Sequence, residues 1–438
     1  MNCYPPRRSR LLSCLLAASL LPGVCAFAEG EAAAAPAPTP APVAEPAVSP
    51  FVSFFKEGKL NFDMRLRYEY AEVGSAKQSN AFTMRNRLGY TTKKFEGFQA
   101  MIELEDNRAA DYTAYNAAGL NGQGTRSVIA DPEDSELNQL WVDYDFSALS
   151  SDVPLYAKLG RQRINLDDER FVGSVGWRQL DQTMDSLLVT VKPMDKLTAS
   201  YIYIDEVNRI FGASSGLDFD SESHLFNVAY TGLDIGKVVG FAYLLDLGKT
   251  GSPGAALSSQ TYGVRLDGSK SLNEELGLDY VASLATQSDY GDNATSYNAM
   301  YALAEAKLKF KKTAGGFAGA GFELLGSDDG AIAFSTPLAT LHKFNGFADS
   351  FLATPAVGLR DYYLTGGFDV PGIKAKFSAT YHYFTGDDND AALGSELDLV
   401  LAKKLNEVAT LLAKYAIFDG DNGRADIERF WLQMDLKF

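Results

Sequence analysis

The chain ends on an alternation. Phe430, Leu432, Met434, Leu436 and Phe438 are apolar, while Trp431, Gln433, Asp435 and Lys437 between them are mostly polar. A period of two puts each set on its own face of a β-strand. The strand stops at an aromatic residue. That ending suits a bacterial outer-membrane barrel, whose last strand closes against its first and carries the signal read by the barrel-assembly machinery. The same alternation recurs from Gly58 onward and predicts about eighteen strands. They lie near 58–72, 80–93, 97–107, 136–147, 153–163, 184–193, 195–206, 222–232, 236–247, 258–271, 274–290, 294–312, 313–325, 356–371, 372–386, 394–404, 406–418 and 427–438.

Connections alternate between short and long. Lys93–Gly97, Pro193–Asp195, Asp369–Gly372 and Lys404–Glu407 are short; Arg108–Ser135, Ile164–Thr183, Val207–Ser221 and Gly326–Pro355 are long. Tight periplasmic turns opposite long extracellular loops give this rhythm. The fold class expected is therefore all-β, a transmembrane antiparallel β-barrel with both termini in the periplasm. No internal repeat of fixed period marks a propeller.

The parity of the first strands says which side chains meet lipid. Leu60, Phe62, Met64, Leu66, Tyr68 and Tyr70 share one face; Asn61, Asp63, Arg65, Arg67 and Glu69 share the other. The next strand repeats the scheme, with Phe82, Met84, Leu88 and Tyr90 outward and Thr83, Arg85 and Arg87 inward. The third sends Ala100, Ile102 and Leu104 out and Gln99, Glu103 and Glu105 in. An Arg or Lys facing lipid at mid-membrane costs ~2–4 kcal/mol, which makes parity binding. By the same rule Arg265, His382, Asp398 and Lys414 face the lumen. Arg65, Arg67, Arg85 and Arg87 thus form a positive ladder on two adjacent strands. One reading is an electropositive constriction that attracts anions; the other is a network in which they pair with Asp63, Glu69, Glu103 and Glu105. The two are compatible, since a paired guanidinium keeps spare donors.

The N-terminus sets the compartment. Arg7, Arg8 and Arg10 precede an apolar run, Leu11 to Val24, and Ala26-Phe27-Ala28 reads as a cleavage site. The domains expected are a signal peptide (1–28), an Ala/Pro-rich periplasmic tether (29–56) and the barrel (57–438). All three cysteines, Cys3, Cys14 and Cys25, fall in the signal segment, which removes disulfides and thiol chemistry from the remainder. That segment carries three arginines and no acid, so its removal takes the formal charge from −16 to −19. Such acidity argues against a nucleic-acid partner. The partners expected are outer-membrane lipid, the assembly machinery and a solute.

The connection after the fifth strand differs from the rest. Gly160-Arg161-Gln162-Arg163 leads into Asp167-Asp168-Glu169-Arg170 and Gly173-Ser174-Val175-Gly176-Trp177-Arg178-Gln179. Strict parity sends Arg161 and Arg163 outward, so either a bulge at Gly160 flips them or they lie above the membrane; the second is the expectation. A loop this charged and aromatic is expected to fold inward and narrow the pore.

Several separated pieces resemble the alginate export family of outer-membrane porins. They are Arg65-Leu66-Arg67-Tyr68-Glu69, the block from Leu159 to Asp185, Leu341 to Asp349, Gly394 to Leu399, and Lys414-Tyr415-Ala416. The resemblance implies a monomeric barrel of about eighteen strands with an arginine-rich lumen selective for polyuronate. Arg65, Arg67, Arg85 and Arg87 match that role, with Arg161, Arg163 and Arg178 second. The function expected is passive diffusion of anionic solutes such as uronates, with a general porin as the alternative.

An enzyme is not expected. The chain has only three histidines, His224, His342 and His382. His382 sits among lumen residues, and His342 has no evident serine partner. An adhesive barrel is the remaining rival, because long loops also suit binding. Asp387-Asp388-Asn389-Asp390 and Asp419-Gly420-Asp421-Asn422-Gly423 offer oxygen ligands to calcium, but Gly423 stands where an EF-hand needs a ligand. Solvated turns and no cofactor are the expectation.

Overall fold

A computed structural model describes residues 49–149, 154–312 and 314–438. The expected signal peptide, its cysteines and most of the tether lie outside the described residues. The last part of the tether span is a short helix, α1 (Pro50–Lys56), where no helix was expected. Ser49 caps it by accepting a hydrogen bond from the Val52 amide, and proline at the first helical position needs no donor there.

The barrel strands run in chain order: β1 (Lys59–Val73), β2 (Ser79–Thr91), β3 (Phe98–Ala109), β4 (Asp134–Asp145), β5 (Leu155–Gln162), β6 (Thr183–Met194), β7 (Leu197–Asn208), β8 (Phe219–Leu233) and β9 (Gly236–Leu245). Then come β10 (Ser259–Ser271), β11 (Leu276–Asp289), β12 (Asn298–Phe310) and β13 (Gly316–Leu325). A two-residue hairpin, β14 (Ser327–Asp328) and β15 (Ile332–Ala333), sits in a loop outside the barrel wall. The wall resumes with β16 (Leu359–Val370), β17 (Ala375–Thr385), β18 (Ala392–Lys404), β19 (Ala409–Gly420) and β20 (Ile427–Lys437).

These form one 18-stranded antiparallel sheet, with β13 pairing to β16. It closes where β20 pairs with β1, from Asp63 opposite Lys437 to Val73 opposite Ile427. Phe438 extends the seam: its amide donates to the Phe62 carbonyl at 2.8 Å. Closure leaves no strand edge unpaired, the condition for strands to cross a bilayer. Each expected strand is present, with ends shifted by a few residues.

Parity holds where it was read. On β2, Phe82, Met84 and Leu88 are exposed on the outer face while Thr83, Arg85 and Arg87 are buried inside. On β3, Ile102 and Leu104 are exposed and Glu103 and Glu105 buried. Long connections gather at one end, including 110–133, 163–182, 209–218 and 326–358; two- to six-residue turns such as 92–97 and 195–196 gather at the other. The interior is occupied. Ile164, Val172, Met184, Phe241, Tyr301, Phe334 and Leu338 join in one apolar cluster, so two long loops pack against the inner wall.

Candidate pore site

The β5–β6 loop (163–182) turns into the barrel, as its composition suggested. Gly160 allows the approach to it. Its φ is +125°, and a Cβ there would stand 2.2 Å from the Leu140 carbonyl oxygen. Inside, the loop lies along the β1–β3 wall in matched order. Arg65 donates to the Gly176 and Trp177 carbonyls at 3.1 Å, and Arg67 donates to the Trp177 carbonyl at 2.5 Å. Arg178 pairs with Glu69 at 3.3 Å. The Gln179 side chain donates to Thr83 at 2.7 Å. Asp181 takes Arg87 at 2.6 Å and also Arg163. The arginine ladder is therefore the surface on which the loop docks.

The β13–β16 loop (326–358) completes this inward structure. Its Leu338 bridges to Val172, and Thr340 binds both the backbone and the carboxylate of Glu169. Arg170, which is 1% exposed, donates to Glu323, Thr336 and Asn345. Glu396 accepts from the Ala348 amide at 2.6 Å and Asp398 from Phe347 at 3.1 Å. Gly346, with φ +85°, passes so near that a Cβ would fall 2.3 Å from Glu396.

The two loops meet at Trp177 and His342, whose rings stack 4.3 Å apart at 6°. His342 Nδ1 lies 2.7 Å from Asp349, and Lys414 Nζ lies 2.7 Å from Nε2. Burial, then Lys414, drives the imidazole well below its ordinary range, so it is neutral. A neutral ring with the proton on Nδ1 satisfies both contacts: it donates to Asp349 and accepts from Lys414. Burial would raise Asp349, but His342, Arg178 and Arg429 hold it below the usual carboxylate range. Burial likewise opposes Asp181, which Arg87, Arg163 and Arg85 hold down at about 2.

Seven of the eight arginines singled out from sequence reach the interior network. Arg65 pairs with Asp435 at 2.8 Å, Arg67 with Asp131 at 3.5 Å, Arg85 with Asp63 at 2.6 Å, and Arg87 with Glu105 as well as Asp181. Arg163 reaches Glu103, Arg178 reaches Asp349 at 2.8 Å, and Arg265 pairs with Asp168 and Asp267. Of the four wall carboxylates expected to pair with the ladder, Asp63 and Glu105 do, whereas Glu103 is taken by Arg163 and Glu69 by Arg178 and Arg429. Arg161 is the exception. Its register partners are the exposed Leu140 and Asp185, so it keeps outward parity and binds Asp185 at 2.8 Å. It does not line the lumen; no bulge flips it. Arg163 lies beyond the strand end, free of parity, and turns inward.

Sequence reading missed Arg170, Glu323, Asp349 and Arg429, which hold the loops. Arg429 and Glu323 have inward parity and could have been found; Arg170 and Asp349 sit in loops, where alternation carries no signal. Asp387 and Asp390 pair with the Arg360 guanidinium. Beside the docked loops a cavity of about 380 Å³ remains, bordered by Asp168, Arg265, Lys307, Lys343, Tyr363 and His382.

Comparison with known proteins agrees with this architecture. The family model described as alginate export matches residues 58–315. Among solved structures, Acinetobacter baumannii OccAB2 is 15% identical, covering 88% of this chain and 99% of its own, with a TM-score of 0.65. Acinetobacter baumannii OccAB4 is 14% identical over 87% of this chain and 98% of its own, TM-score 0.64. Pseudomonas aeruginosa OccK5 (OpdH) is 14% identical over 88% and 99%, TM-score 0.61. At such identities these structures speak for the fold alone. No curated protein matches the sequence.

Proposed function

Because the chain belongs to the alginate export family, as a porin-like channel of the Gram-negative outer membrane and not an enzyme, we propose that it passes anionic solutes, uronates and alginate-like sugars among them, by passive diffusion. It would act as a monomer without a cofactor. One observation carries the anionic part. Arg65 and Arg85 are direct register partners on β1 and β2. Like charges facing each other across strands destabilise the pair, so the pairing of β1 with β2 does not by itself account for them. Arg67 and Arg87 extend the same wall. Arg85 Nε and Nη1 are buried and lack hydrogen-bond partners, so the Asp63 contact does not use up this cation at a place where a low local dielectric strengthens each charge.

A general porin is the second reading, favoured by the carboxylate partner that each ladder arginine has. Liposome swelling separates the two. Under the anionic reading, vesicles bearing the protein swell faster in glucuronate than in glucose. Replacing Arg67 and Arg87 with Ser should reduce that ratio severalfold. Equal swelling in both solutes, unchanged by the substitutions, would favour the general porin.

A further inference from the structure

Every arginine among the described residues has a carboxylate within 4.0 Å, except three: Arg126, Arg209 and Arg424. These three come from different connections, 110–133, 209–218 and the β19–β20 loop (421–426). All three nevertheless line one cavity of about 820 Å³ at the loop end. Among the described residues its one acidic lining residue is Asp349, already bound to Arg178 and His342.

Each guanidinium is held in a way that leaves donors over. Arg209 stacks on Phe219 at 4.4 Å and Phe211 at 4.7 Å, and gives one hydrogen bond, to the Leu217 carbonyl. Arg424 lies 4.6 Å over Phe351, and its side chain makes no hydrogen bond among the described residues. Arg126 gives one, to the Gln78 carbonyl at 2.8 Å. Stacking occupies the faces of the cation and leaves its in-plane N–H groups available for a carboxylate fork. Burial lowers the Arg424 guanidinium with nothing opposing it, and lowers Arg209 with only Asp218 in opposition. A partly desolvated cation without a counter-charge costs stability, so gathering three in one cavity calls for a ligand. Ile210, Phe211, Leu352 and Val128 supply apolar lining between them, which suits the C–H faces of a pyranose.

We propose that this cavity is a binding site for an acidic oligosaccharide, which sets its carboxylates on Arg126, Arg209 and Arg424 before reaching the lumen. The identity of the ligand rests on the anion-channel reading; the existence of the site does not. Calorimetric titration of the purified, folded barrel with tri-galacturonate tests it, with maltotriose and inorganic phosphate for comparison. Tri-galacturonate should bind, phosphate should bind at least tenfold more weakly, and maltotriose should give no heat. Converting all three residues to Gln should weaken tri-galacturonate by about tenfold or more, since each removes charge-assisted hydrogen bonds. Arg126→Gln alone should lose severalfold, which keeps the proposal testable if the triple variant does not fold. Absence of binding by wild type, unchanged affinity in the variants, or phosphate binding as tight as the trisaccharide overturns the proposal. The anion-channel reading is judged separately, by ion selectivity.

Discussion

Trp177 is the residue on which the inner structure turns. Its ring lies 4.1 Å from the Arg67 guanidinium carbon and 4.2 Å from Lys414 Nζ, besides stacking on His342. Trp177 is partly buried, so truncating it costs less than the ~3–5 kcal/mol of a fully buried Trp, and the cost falls on loop docking, because the wall is held by its own ladders. Trp177→Ala should therefore raise single-channel conductance and add current noise, with barrel heat-modifiability retained; wild-type conductance would show that Trp177 does not hold the loops. What was legible at this scale follows from period two. It gave the inward direction of Arg65, Arg67, Arg85 and Arg87 and the partners Asp63 and Glu105 on neighbouring strands. It could not give Asp131 or Asp181, which arrive from loops and obey no parity.

At the scale of elements, the β5–β6 and β13–β16 loops act as one unit, and His342 makes their docking sensitive to pH. The groups facing it are Asp349 from its own loop, Lys414 from β19 and Arg178 from the β5–β6 loop. Its docked pKa is depressed below the ordinary value near 6.5. Its contribution is then fully present above pH ~6.5 and is lost as pH falls further, since the undocked form takes up the proton. Acidifying from pH 7.5 to 5 should increase loop fluctuations, read as more frequent conductance steps, and His342→Gln should flatten that dependence. An identical pH profile in the variant would remove His342 from the explanation. Strand boundaries were legible because lipid on one side and water on the other enforce alternation. The inward path of the β5–β6 loop was legible only from its composition; that of the β13–β16 loop, and the pairing of the two, was not. The last strand gives a separate expectation: deleting Phe438, which pairs with Phe62 across the seam, should lower the yield of folded barrel. Normal yield would show the seam closes without it.

For the whole molecule, the ring of 18 strands fixes the topology that labelling can check. Cysteine at Gly119, an exposed position of the 110–133 loop, should react with an impermeant reagent on intact cells, and cysteine at Lys94, in the 92–97 turn, should not. Reaction at Lys94 would invert the orientation. Fold class and strand number were legible along the entire chain; selectivity was not, because it depends on how far loop carboxylates cancel the ladder. Charge on the outer loops, behind the net −16 of the chain, is screened within ~8–10 Å at physiological salt and does not decide it. The most direct test is the reversal potential of the wild-type channel in a planar bilayer under a potassium chloride gradient. A potential of the sign that favours chloride, with current blocked by added uronate, is the predicted result. Preference for potassium, with indifference to uronate, would contradict an anion channel and leave the arginines as the dock for the inward loops.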